Sequence, residues 1–242
     1  MEYIPPHFKI QLNPVPDPAA VVKTGRARFT VLTSRMIRME WSPTGNFEDR
    51  ASQPFWFRSQ PVPTFSTEEA DGELMIDTEF LRLHYSPDET FDGENLWIEL
   101  KEMQARQPME EATGPHLQPS SRRRRESEPK RSRGTWYYGD ANPANLGGTA
   151  RTVDGIDGAT PVGEGLISRD GWAIVDDSNS LVFNDAGWLQ PREAPEGQKD
   201  LYFFGYGHDY TGCLRDFNLV CGPVPMIPRF VLGNWWSRYW KF

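Results

Sequence analysis

Little in this chain is available for cross-linking. Its 242 residues include only two cysteines, Cys213 and Cys221. If that stretch is helical, eight residues set them about 12 Å apart along the axis, beyond disulfide reach. Both are therefore expected to be small buried apolar residues in a reducing compartment. No Asn-x-Ser/Thr sequon occurs, and Met1–Pro6 has neither a basic stretch nor an apolar one of the kind that opens a signal peptide. No apolar run reaches membrane-spanning length. A cytoplasmic, soluble protein is the expectation, with no membrane partner.

Chemistry-bearing motifs are equally scarce. The four histidines, His7, His84, His116 and His208, stand singly, without the spacing of metal ligands. Neither a Gly-x-Ser-x-Gly elbow nor a Walker loop is found. Gly205-Tyr206-Gly207-His208 has its third glycine misplaced and lacks the βαβ surroundings of a dinucleotide fingerprint. It reads instead as a tight turn from a strand into a helix. No cofactor is expected. A net charge of −8 argues against a nucleic-acid partner for the chain as a whole. One basic stretch runs against that balance: Arg122–Arg125, Lys130, Arg131 and Arg133. It lies within residues 102–133, which show no apolar periodicity and have no interleaved aromatics to stack on bases, so they read as a disordered insertion.

What the chain does have is aromatics, glycine and proline: 13% aromatic residues, 21 Gly and 21 Pro, a composition that favours short strands joined by turns. Residues 26–41 read as two strands in which Ile37, Met39 and Trp41 alternate with Arg38 and Glu40, as in a sheet with one wet face. Further strands are expected at Glu73–Asp77, Phe80–Tyr85, Asn95–Leu100, Gly171–Val175, Ser180–Phe183 and Asp200–Phe204. Together they indicate a mainly β fold, a β-sandwich. One helix is expected, capped by Asp209, with Tyr210, Leu214, Phe217 and Cys221 on one face and Gly222-Pro223 at its end. A proline connector then leads to a strand-like run, Phe230–Trp235. The chain closes on a cluster of aromatics, with three of its nine tryptophans in the last eight residues.

Two loops carry concentrated polar chemistry. Phe47–Gln53 offers an internal ion pair, Asp49 or Glu48 with Arg50. Asn145–Gly158 combines glycines with Asp, Thr, Arg and Asn, a set suited to neutral polyols as well as to an ordinary turn-rich loop.

Four segments together resemble glycoside hydrolase family 31, the α-glucosidase and α-xylosidase family: Phe47–Gln53 (FEDRASQ), Asn145–Asp157 (NLGGTARTVDGID), Gly165–Ser178 (GLISRDGWAIVDDS) and Tyr202–Trp240 (YFFGYGHDYTGCLRDF through IPRFVLGNWWSRYW). The resemblance implies a galactose-mutarotase-like β-sandwich over residues 1–222, followed at 223–242 by a connector and the first strand of a (β/α)8 barrel, incomplete here. It implies an α-linked oligosaccharide or glycoside as ligand of the whole enzyme, with the catalytic barrel as partner in cis. Asp154 and Asp157 would contact sugar hydroxyls from a sandwich loop leaning over the barrel. Arg238, Tyr239 and Trp240 would line the mouth of the sugar pocket. Family members are retaining enzymes with two catalytic aspartates held about 5–5.5 Å apart on later barrel strands. No residue of this chain matches either motif, so the chain alone is expected to be inactive. Asp176 and Asp177 are strand neighbours pointing to opposite faces and are expected to form turns rather than to substitute. The alternative is a non-catalytic glycan-binding or regulatory protein derived from the family.

Overall fold

The computed structural model describes residues 10–87, 90–105, 134–148, 162–223 and 229–233. In chain order its strands are β1 (Val21–Thr24), β2 (Ala27–Thr33), β3 (Met36–Trp41), β4 (Phe65–Ala70), β5 (Glu73–Thr78), β6 (Leu81–Tyr85), β7 (Leu96–Leu100), β8 (Thr135–Tyr137), β9 (Ala173–Asp176), β10 (Val182–Phe183), β11 (Leu189–Gln190) and β12 (Lys199–Phe204). Two helices accompany them, α1 (Lys101–Ala105) and α2 (Tyr210–Cys221). The first sheet has the order β1-β2-β3-β12-β9 and the second β4-β5-β6-β7-β8, with every pairing antiparallel. Strands β10 and β11 form a separate hairpin. The fold is mainly β, with two packed sheets.

Alternation builds the core between the sheets. Phe29, Val31, Ile37, Met39, Leu201 and Phe203 face inward from the first sheet and meet Ile76, Leu83, Ile98 and Trp136 of the second. Aromatic edges fill the gaps, with the Trp136 and Phe203 ring centroids 5.3 Å apart and those of Phe29 and Tyr85 5.2 Å apart.

The other face of the first sheet is not wet. Arg38 and Glu40, expected on a solvated face, are both 0% exposed. The alternation is real, but the chain covers the polar side as well, with α2 and with residues 46–58 and 177–198; Trp56 N and Phe57 N both donate to Val220 O of α2. A second core forms there from Leu32, Met36, Phe55, Tyr202, Phe204, Tyr206, Cys213 and Val220. Phe55 stacks on Tyr202 at 3.5 Å.

Helix α2 begins as its sequence predicts, with the Asp209 carboxylate accepting from Gly212 N at 2.9 Å. It ends at Gly222, whose φ of 97° falls in the region that favours glycine, and where a Cβ would lie 2.8 Å from the Phe57 ring. The face presented to the sheet carries Cys213, Phe217 and Val220. The expected stripe is rotated: Leu214 is 48% exposed, and Cys221 is only partly buried.

Two further expectations change. Residues 102–105 belong to α1 rather than to a disordered insertion, while 106–133 lie outside the described residues. Arg229–Leu232 form a turn of 3-10 helix, not the start of a strand. A strand needs a neighbouring strand, and among the described residues Arg229–Leu232 belongs to no sheet.

Candidate functional site

The glycine-rich loop that begins at Asn145 has a well-built root. Asn145 and Ser168 form an antiparallel bridge, flanked by Leu146 N to Ile167 O and Arg169 N to Ala144 O, each 3.0 Å. The Asn145 side chain closes the neck. Its Oδ1 accepts from Gly147 N and Gly165 N at 2.8 Å each, and its Nδ2 donates to Gly165 O at 2.9 Å. Only glycine fits at 165, because a Cβ there would lie 2.0 Å from Gly147 O, a backbone atom that cannot move aside. Leu166 and Ile167 pack into the second core, and the Cys213 thiol of α2 donates to Leu166 O at 3.3 Å. Burial pushes that thiol up to about 12, which leaves it inert at neutral pH. The neck is thus fastened to both the sheet and the helix. Asp154 and Asp157, the residues expected to contact sugar, lie outside the described residues, as do Arg238, Tyr239 and Trp240.

The largest assembly of charge lies elsewhere, on the covered face of the first sheet. Arg28 stands opposite Glu40 on β3, and Glu40 stands opposite Asp200 on β12. Arg28 Nε reaches Glu40 Oε2 at 2.6 Å and its Nη1 reaches Asp49 Oδ1 at 2.7 Å. Arg38 grips Asp200 with Nε and Nη2, at 2.8 and 2.7 Å, and lies 3.0 Å from Glu40. Arg192 bridges Asp200 at 2.7 Å and Asp177 at 3.0 Å. Arg58 has no carboxylate partner among the described residues and donates to the carbonyls of Glu48, Asp49 and Arg50. One backbone oxygen, Glu48 O, accepts from Arg28, Arg38 and Arg58 at 3.3, 2.9 and 3.2 Å.

Burial and charge oppose each other in this cluster. Burial would raise the Asp200 carboxyl, but the Arg38 and Arg192 guanidiniums outweigh it and hold the group well below the usual carboxylate range. Glu40 goes the other way: burial, reinforced by repulsion from Asp200, overcomes its arginine partners. Asp177 is raised for the same two reasons. Arg58 is lowered by burial and by the neighbouring Arg38 charge. Because Arg38, Glu40, Asp177 and Asp200 are sealed from solvent, no substrate can reach these carboxylates for proton transfer. The assembly fastens the 46–58 and 177–198 segments to the sheet.

The sequence anticipates some of this. Glu48 and Arg50 do pair, at 2.8 Å, whereas Asp49 turns to Arg28. Asp176 forms the expected turn by accepting from Ser178 N at 2.9 Å, but the Asp177 side chain is buried against Arg192. Arg28, Arg58, Arg192 and Asp200 escape the sequence reading. Arg28 and Glu40 carry a usable signal, opposite charges facing each other across a short hairpin. Arg58 and Arg192 come from irregular segments and carry none.

Among the described residues, no group of three or more His, Cys, Asp or Glu side chains could hold a metal, and no helix is long and apolar enough to cross a membrane. No family model and no curated protein matches the chain. Among solved structures it is similar to a GH31 dextranase from Flavobacterium johnsoniae. A mutant of that enzyme complexed with isomaltotriose is 15% identical with a TM-score of 0.47, and the match covers 88% of this chain and 28% of that one. The same dextranase complexed with glucose is 14% identical with a TM-score of 0.45, and the coverage is again 88% and 28%. This chain therefore spans little more than a quarter of the length of those structures.

Proposed function

We propose that the chain is the N-terminal β-sandwich of an α-glycoside hydrolase resembling family 31, of galactose-mutarotase-like type. Its role is to support a catalytic barrel and lend it the 145–158 loop as a wall of the sugar site. The observation that carries this reading is the loop root. Asn145, Gly165 and Cys213 fix the loop's neck against α2, the helix from which the chain runs on toward residues 223–242. The neck meets α2 in its first turn, roughly 13 Å along the axis from the end by which the chain leaves the helix, so a barrel docked along the helix would lie within reach of the loop. The exposed apolar side chains of α2 fit the same role. Leu214 and Leu219 are about half exposed, and Leu219 lines a groove of about 510 Å3 with Phe57, Gly222 and Pro223. The docking face of a following barrel would cover them.

The chemistry resides in the barrel under this proposal, so the purified chain is expected not to turn over an aryl α-glucoside or α-xyloside. Turnover that co-purifies with the chain and survives separation from host glycosidases would overturn the reading. Transcript sequence beyond the Phe242 codon provides an independent check. A frame continuing into barrel strands that bear aspartates agrees with the proposal, and an immediate stop favours the stand-alone binding protein.

A further inference from the structure

Each of the two large sheets ends in two edge strands, and β4 is the longest of the four. It runs six residues, against four in β1 and β9 and three in β8. The turn that follows lays out its backbone. Ala70 faces Glu73 across Asp71-Gly72, and both turn residues have positive φ, 54° and 81°, as a two-residue type I′ hairpin requires. Bonded and open pairs alternate from that turn. Ala70, Glu68 and Ser66 therefore bond to β5, while Glu69, Thr67 and Phe65 turn their N–H and C=O groups outward. Among the described residues no backbone group bonds to those three.

Exposed edges are commonly guarded against stray pairing, and charge is one means. The guard on β4 has a single sign. Glu68 and Glu69 project to opposite faces of the strand, both exposed, and neither pairs with a cation among the described residues. Two copies meeting edge to edge would set these carboxylates against each other, which is unfavourable. A strand bearing Lys and Arg meets the opposite field, on both faces at once. The start of β4 adds a second contact. A cavity of about 600 Å3 opens there beside Ser34, with Pro63 and Phe65 as its apolar wall and Asp77 and Glu79 as its acids. Asp77 is already held by Arg82 at 2.8 Å and Lys101 at 2.9 Å, so the exposed Glu79 supplies the uncompensated charge. An apolar wall beside an acid suits a Lys or Arg side chain, with its aliphatic stem and charged head.

We propose that the β4 edge docks an extended, Lys/Arg-rich peptide segment of another protein, which adds to the second sheet as a further strand and seats one basic side chain in the Glu79 cavity. The probe is a dye-labelled octapeptide with blocked ends, Thr-Lys-Arg-Val-Thr-Lys-Arg-Val, titrated into the full chain and followed by fluorescence anisotropy. Saturable binding with a dissociation constant of roughly 100 μM at low salt is expected, weakened at least tenfold by molar salt. Replacing every Lys and Arg of the peptide by Glu should abolish it. N-methylation of the peptide amides keeps the charge, removes the backbone bonds and should cost at least tenfold. Thr67→Pro removes an outward N–H without touching the β5 ladder, and it should weaken binding at least fivefold, as should Glu68→Lys/Glu69→Lys. Circular dichroism should stay unchanged in both variants, because the altered side chains are exposed. Absence of saturable binding, or equal binding by the N-methylated peptide, overturns strand addition. Binding that both variants leave intact places the site elsewhere and overturns the proposal. Binding that appears only after residues 106–133 are replaced by a short Gly-Ser linker assigns the edge to the chain's own basic stretch and overturns an external partner. A dimer that Thr67→Pro dissociates assigns the edge to a second copy, with the same consequence.

Discussion

The two sheets carry the same kind of strand, apolar on one side and charged on the other, yet their charged sides have opposite fates. On the second sheet Asp77, Arg82 and Glu99 stay partly solvated, as does Lys101 at the start of α1, with Arg82 41% exposed at its side chain and 2.8 Å from Asp77. On the first sheet Arg38 and Asp200 are wholly enclosed at a similar distance. A period of two reports that a strand has two different faces. It does not report which face water sees. That depends on whether another part of the chain returns to cover the polar side, and here α2 and residues 46–58 and 177–198 cover one sheet.

This contrast can be tested by breaking one pair on each sheet. Arg38→Ala leaves the buried Asp200 with Arg192 as its remaining cation and with Glu40 beside it, and should cost about 3 kcal/mol of folding free energy, measured by urea denaturation. The charge-free double variant Arg38→Met/Asp200→Leu should lose less than either single substitution. If the double variant is as damaged as the sum of the two, the cluster is a packing feature rather than a desolvated charge network.

Acid unfolding separates the sheets next. Asp200 has a depressed folded-state pKa, so its contribution is full above the unfolded value of about 3.9 and is lost as pH falls below it. Glu40 and Asp177 are raised, so their contribution is present at low pH and fades as pH rises through their folded values. Asp200→Asn should therefore be less stable at neutral pH and show a flatter loss of stability between about pH 4 and 2. An unchanged slope would mean that another carboxylate drives acid unfolding.

Smaller effects belong to the second sheet. Arg82→Ala should change stability by at most about 1 kcal/mol, since exposed pairs contribute little. Molar salt should remove most of that difference while leaving the Arg38→Ala effect in place. Equal salt sensitivity at the two sites would erase the distinction drawn here.

The same contrast explains what was legible in the sequence. Strands β2, β3, β5, β6, β7 and β12 bury an apolar side, and their alternation is plain. Strand β4 reads Phe-Ser-Thr-Glu-Glu-Ala and is almost wholly exposed at the sheet edge, so it carries no apolar signal. Strands β1, β8 and β11 have two to four residues, too few to establish a period. Helix α2 was legible through its Asp209 cap and Gly222 stop, but the residue facing solvent was not, because Leu214 looks like a core residue until the sheet fixes the helix rotation. At the candidate site the glycines and Asn145 were legible as a loop with polar chemistry. The exchange of three hydrogen bonds that makes Asn145 a clasp depends on Gly165, twenty residues further on.

The convergence of Arg28, Arg38 and Arg58 on the carbonyl of Glu48 has a consequence for mutational surveys. The acceptor is main chain, present whatever side chain occupies position 48. A survey that replaces every residue in turn would score Glu48 by its carboxylate's contact with Arg50 and miss the oxygen that gathers three cations. Only an edit to the backbone itself would expose it, such as an ester in place of the amide that follows Glu48, or a one-residue deletion that slides the loop out of register. The shape of the chain at that point, rather than its spelling, is what the three arginines recognise.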